Sequence, residues 1–206
     1  MNKHLVLALL LAILGGASAS RAEDATDALL RALAPTTHLQ GAFLQRQYEE
    51  DDTLLLQSSG RFALLRPGYF SWEIDSPDDQ LIVATPEFVW HYDRDLATVT
   101  RRPTPQGAGA SPLQILGGDV DALRESFTVE QVAEAAFTLT PRVPDAGFQR
   151  LYLRLDGAGL SRMEVLDNLQ QRIDIEFREV DSNSPLAPED FHFEPPQGVD
   201  VFYHDQ

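Results

Sequence analysis

The stretch from Ser59 to Ile74, SGRFALLRPGYFSWEI, constrains the fold more than any other part of the chain. Two runs meet at Arg66-Pro67-Gly68, where proline fixes a φ suited to a turn and glycine supplies freedom after it. Side chains alternate faces along a strand, so Phe70, Trp72 and Ile74 point together while Tyr69, Ser71 and Glu73 point away. The hairpin therefore presents an aromatic surface with one permanently charged, five-donor group, Arg66, at its rim. Such a surface can line a greasy cavity, and the guanidinium can latch something across its mouth.

The same period of two runs through most of the sequence. Before it, Lys3 and His4 precede the apolar run Leu5–Leu14, which is too short to span a bilayer and fits a secretory leader. Ala17-Ser18-Ala19 and Ser20-Arg21-Ala22 both satisfy the cleavage pattern. The second is preferred, because Glu23-Asp24 then opens an acidic, amphipathic segment. This reading makes residues 1–22 a cleaved signal peptide and residues 23–206 a single domain. The sequence contains no cysteine, so no disulfide and no lipid-bearing cysteine are available, and a packed core must hold the exported chain together. A net charge of −16 argues against nucleic acid or anionic lipid headgroups as partners and favours solubility; a monomer is expected.

The segment Asp24–Leu33 is expected to be a helix capped by Asp24 or Thr26, with Leu29, Leu30 and Leu33 as its apolar stripe and Pro35 as its stop. Strands are expected at 39–48, 61–65, 69–74, 80–84, 88–93 and 98–102. Phe43 has Leu39 on its face, and Phe88, Trp90 and Tyr92 share another, so His91 points away as a surface residue. The Pro/Gly-rich stretch 103–118 breaks the pattern but carries Leu113, Ile115 and Leu116 in one plausible helical turn, apolar side chains that need cover. A short helix over 121–126 and strands over 127–133, 137–141, 148–155, 162–166 and 171–180 follow, then a helical turn at 188–190 and a last short strand. Leu151, Leu153 and Leu155 alternate with Tyr152 and Arg154, as Ile173, Ile175 and Phe177 do with Arg172, Asp174 and Glu176. The fold class is mainly β with a few helices (α+β). An antiparallel sheet with one apolar face must curl to hide it, as a closed barrel, a sandwich or a half-open, unclosed barrel covered by helices, and the short helices and apolar loop favour the last. A wide curled sheet of this kind leaves space inside that side chains do not fill.

Catalytic chemistry is poorly supported. The chain lacks a GxSxG elbow, a Walker loop, an HExxH helix and a cysteine nucleophile. Its histidines are scattered without ligand spacing, and Glu49–Asp52 and Asp78-Asp79 read as solvated turns, so neither a metal nor another cofactor is expected. Glycosidase carboxylates distant in sequence, and hence a secreted β-rich hydrolase, remain as the rival from the enzyme class.

The order of several weak motifs resembles the LolA family of periplasmic carriers of outer-membrane lipoproteins. They are Gly41-Ala-Phe43-Leu-Gln45, Ser59-Gly60, Arg66-Pro67-x-x-Phe70-x-Trp72, Pro77-Asp78, Val89-Trp90-His91-Tyr92-Asp93, Ser111-Pro112-Leu-Gln-Ile-Leu116, and Phe191-His-Phe193-Glu-Pro195-Pro196-Gln197-Gly198-Val199. The resemblance implies an unclosed barrel with a covered hydrophobic cavity and a non-enzymatic chaperone of acylated cargo. It implies that Arg66 holds the covering helix shut, and that Phe70 lies at the cavity mouth and engages a partner. Phe43, Phe62, Trp72, Phe88, Trp90, Leu151, Leu153, Ile173, Ile175 and Phe177 are expected to line the cavity. Leu29, Leu33, Leu113, Ile115 and Leu116 are expected to form the lid. The partners it implies are triacylated lipoproteins, a LolCDE-type inner-membrane releasing ABC transporter and a LolB-type outer-membrane receptor. A LolA-like envelope sensor or binding module is the rival sharing this fold.

Overall fold

A computed structural model describes residues 24–104, 120–143, 146–157 and 159–204. Helix α1 (Ala25–Leu33) begins where Asp24 accepts a hydrogen bond from the Thr26 amide at 3.0 Å, and a second helix, α2, spans Val120–Ser126. Twelve strands are present among the described residues: β1 (His38–Tyr48), β2 (Leu54–Leu65), β3 (Tyr69–Ser76), β4 (Gln80–Ala84), β5 (Phe88–Asp93), β6 (Thr98–Pro103), β7 (Phe127–Ala133), β8 (Ala136–Pro141), β9 (Phe148–Asp156), β10 (Gly159–Asp167), β11 (Arg172–Asp181) and β12 (Asp200–Tyr203). They form one sheet in the order β12-β6-β5-β4-β3-β2-β1-β11-β10-β9-β8-β7. The edges β12 and β7 stay unpaired with each other, so the sheet is unclosed. Every pairing is antiparallel except that of β12, which returns alongside β6 in parallel. The expected helical turn near the C-terminus is a 3-10 turn over Pro188–Phe191.

Register explains the curvature. Phe43 sits opposite Gly60 on β2 and Phe177 on β11, while Phe62 sits opposite Trp72 on β3. Following such pairs from strand to strand defines an inner face that collects Leu39, Phe62, Leu64, Phe70, Ile175, Met163, Leu153 and Phe137 into one buried cluster with Leu29 and Leu33 of α1. Residues as far apart in the sheet as Trp72 and Phe137 share that core only because the sheet curls around the helix. Gly60 lets β2 and β3 close on each other, since a Cβ there would lie 1.8 Å from the Glu73 carbonyl oxygen.

Strand β2 starts at Leu54, seven residues earlier than the alternation from Arg61 indicated. Leu54, Leu55 and Leu56 are all exposed, so no burial pattern marks that extension in the sequence.

The outer face has a core of its own. The C-terminal segment crosses β3 to β6, placing Phe191 against Tyr69 with ring centroids 5.6 Å apart, and Phe193 against Trp90 at 5.5 Å. Val83, Val99 and Phe191 are buried yet stand outside the inner cluster. The Arg101 guanidinium lies over Phe88 at 4.3 Å and over Tyr203 of β12 at 4.6 Å, tying the last strand to this face.

Candidate functional site

Arg66 follows the last residue of β2 and opens the turn into β3, with Gly68 at φ +83°. Its amide donates to the Thr37 carbonyl at 2.8 Å, which brings the end of β2 beneath the C-terminus of α1. Its guanidinium Nη1 donates to the Leu33 carbonyl oxygen at 3.0 Å. That carbonyl belongs to the last turn of the helix, whose oxygens lack partners within the helix. It also accepts from the Thr36 amide at 3.0 Å. Burial lowers the guanidinium's affinity for its proton, yet arginine stays charged at any physiological pH. A cation at a helix C-terminus is also placed favourably toward the helix dipole.

Beneath the helix, Trp72 stacks on Phe43 with ring centroids 3.6 Å apart and an interplanar angle of 17°. Phe70 lies 5.9 Å from Trp72, and Phe62 meets Phe177 edge-on at 5.0 Å. The structure thus gathers Phe43, Phe62, Phe70, Trp72, Leu151, Leu153, Ile175 and Phe177 in one apolar interior, with Ile173 packed at its margin. Leu29 and Leu33 close it from above, and an Asp27–Arg124 ion pair joins α1 to α2. The three expected lid residues Leu113, Ile115 and Leu116 lie outside the described residues.

Two expectations need correction. Phe88 and Trp90 do not face this interior. Trp72 pairs with Ile82, Ile82 with His91, and His91 with Thr100, so His91 shares the inner face with Trp72 while Trp90 faces out. Alternation within one strand fixes which residues travel together but not which set points inward. The burying partner of the outer set is the distant segment carrying Phe193 and Tyr203. Phe70 is 4% exposed, so in this closed form it offers almost no surface to a partner. Beneath α1 the described aromatic side chains pack against one another. A cavity of about 220 Å³ lies on the inner face of β4 to β6, lined by Ile82, Val89, His91, Thr100 and Arg102. His91 is exposed, as a surface residue was expected to be, although it shares a sheet face with Trp72.

Among the described residues no group of three histidine or acidic side chains is arranged to hold a metal ion.

The decisive comparison is with known families. The family described as "Outer membrane lipoprotein carrier protein LolA" matches residues 35–194. This chain belongs to the LolA family. An outer-membrane lipoprotein carrier protein of Coxiella burnetii (strain CbuK_Q154) is 35% identical over 186 residues, covering 88% of each chain. Its namesake in Dechloromonas aromatica (strain RCB) is 36% identical over 181 residues, 86% of each. The namesake in Pseudomonas aeruginosa (strain UCBPP-PA14) is 34% identical over 191 residues, 90% of this chain and 92% of the relative. Among solved structures, an uncharacterized conserved protein from Thermus thermophilus superposes with a TM-score of 0.51 at 17% identity, covering 87% of this chain and 97% of its own. A LolA superfamily protein from Nitrosomonas europaea does so at 0.50 and 10% identity, covering 82% and 97%. Both share the fold. The LolA match covers every strand from β1 to β11 and the Arg66 turn, while α1 and β12 lie beyond its bounds.

Proposed function

We propose that this chain is a periplasmic carrier of lipoproteins. It takes the acyl chains of triacylated cargo from a LolCDE-type releasing transporter in the inner membrane and hands them to a LolB-type receptor at the outer membrane. The observation that carries this reading is the bond from Arg66 to the Leu33 carbonyl, which closes α1 over stacked aromatic side chains. Curated relatives at about one-third identity carry the name outer-membrane lipoprotein carrier protein. None of the described helices is long and apolar enough to cross a membrane.

The physics makes such a carrier necessary. Each buried CH₂ contributes about 0.8 kcal/mol, so three long chains hold a lipoprotein in a bilayer by roughly tens of kcal/mol. A protein that offers equivalent apolar surface offsets most of that, and a latch that favours the closed form makes the grip reversible. Arg66 serves as the latch, and α1 with Leu29 and Leu33 serves as the lid. Phe43, Phe62, Phe70 and Trp72 supply the acyl-binding surface once α1 lifts, and Phe70 becomes available to a partner only then.

Mass spectrometry of the protein purified from a native Gram-negative envelope tests the assignment. Triacylated cysteinyl peptides should co-purify with it. Protein that repeatedly emerges free of acylated peptides, from cells with active lipoprotein export, refutes the carrier role.

A further inference from the structure

Two cross-strand rows on the inner face change character along the sheet. One runs Phe62–Trp72–Ile82–His91–Thr100 and the other Leu64–Phe70–Ala84–Val89–Arg102. Each begins with large apolar groups on β2 and β3; the first ends in His91 on β5 and Thr100 on β6, the second in Arg102 on β6. The cavity of about 220 Å³ sits at this transition, and Ile82 and Val89 in its wall also belong to the apolar cluster. Among the described residues no carboxylate lines it, whereas Thr100 and Arg102 bring one hydroxyl and five guanidinium donors. His91 Nε2 lies 3.1 Å from Gln80 Oε1, which orients the ring along the wall. The volume falls below the roughly 300–1,000 Å³ of ordinary small-molecule pockets, so it suits the head of an amphiphile rather than the whole of one.

We propose that this donor-rich shelf on β5 and β6 binds the ester and amide carbonyl oxygens at the base of the cargo's acyl chains. The chains themselves extend along the two rows toward Trp72 and Phe70. The inference rests on the carrier reading and adds a polar subsite to it. Carbonyl oxygens are acceptors only, which matches Thr100 and Arg102. They also sit at the point in the ligand where apolar chain gives way to polar linkage, as the rows do. A shelf of this kind fixes how deep the chains enter and in which direction the attached polypeptide leaves.

The test uses two synthetic lipopeptides with equal chain lengths: a dipalmitoylglyceryl cysteinyl peptide with ester linkages, and its dialkyl analogue with ether linkages. Wild-type protein should bind the ester form about tenfold more tightly, the value of one hydrogen bond to a charged donor. Arg102→Ala and Thr100→Val should each reduce that preference several-fold with little change in affinity for the ether form. Arg102 is exposed, and valine suits the strand position of Thr100 as well as threonine does, so both proteins should keep the wild-type melting temperature. Equal wild-type affinity for the two lipopeptides overturns the shelf while leaving the carrier reading intact. So does a preference that survives both substitutions. Loss of the preference on adding inorganic phosphate overturns it in favour of an anion site. Failure of the wild type to bind either lipopeptide removes the carrier reading and the shelf with it.

Discussion

Replacing Arg66 with leucine removes the bond that ties α1 to the end of β2. The Leu33 carbonyl keeps its bond from the Thr36 amide at 3.0 Å, so the substitution does not strand that acceptor. What is lost is a hydrogen bond from a charged donor, about 1.5–3 kcal/mol. The rest of the closing energy comes from Leu29 and Leu33, which are 0% and 5% exposed. Withdrawing each from the core costs about 1.5–3 kcal/mol, so lifting α1 unaided costs roughly 5–9 kcal/mol in all. Burial of about 6–11 methylenes offsets that amount, less than a single long acyl chain supplies. In Arg66→Leu the open form gains about 10- to 150-fold in population. Hydrogen exchange at the amides of α1 should quicken by that factor. Loading of lipoprotein from spheroplasts should persist, while transfer to the outer-membrane receptor slows, because relatching no longer helps to expel cargo. Exchange within about twofold of wild type, together with normal transfer, would falsify the latch.

Two further perturbations probe the same closed form. Phe70→Glu places a carboxylate at a site only 4% exposed between Leu64 and Ala84, and should destabilise the protein by about 3–5 kcal/mol in urea denaturation. It should also block loading from the inner-membrane complex. A loss below about 1 kcal/mol would place the ring at the surface in solution. Acid should loosen the lid from its other end: the bonds from Thr26 hold the Asp24 carboxyl below its ordinary range, so its contribution is present above a pH of about 4 and disappears as pH falls through the lowered value. Hydrogen exchange in the first turn of α1 should therefore accelerate on acidification relative to an Asp24→Asn protein, and a parallel response in the two proteins would refute that role for the cap.

Local chemistry made much of the architecture legible. The Asp24 cap with Pro35 two residues past the helix end, the Arg66-Pro67-Gly68 turn and the full span of β4 all follow from short-range rules. The grouping of Phe43, Phe62 and Trp72 was equally readable, because each strand carries its large apolar residues an even number of positions apart. Facing was not readable. Trp90 and Trp72 look equivalent in sequence, yet they lie on opposite sides because β4 sets the phase between them through Trp72–Ile82–His91. The outer aromatic set is covered too, but its cover comes from Phe193 and Tyr203, about a hundred residues away. Only long-range pairing distinguishes a residue that lines an interior from one that anchors a tail.

The aromatic packing beneath α1 bears on how any such carrier works. An apolar hollow large enough for acyl chains would leave its lining without contacts on one side, and each lost contact weakens the closed state. Here Trp72 stacks on Phe43 and Leu29 is buried in the inner cluster, so these side chains already have apolar partners in the closed form. Binding that lifts α1 then exchanges these apolar contacts for contacts with cargo. The net gain per methylene is accordingly smaller than transfer from water alone suggests, because the displaced side chains and α1 must find new positions. A weaker net grip is what a shuttle needs, since cargo held at the full transfer energy could not be released without work. Stability of the empty protein and reversibility of loading therefore have one origin, the aromatic stack under a helix that Arg66 holds down.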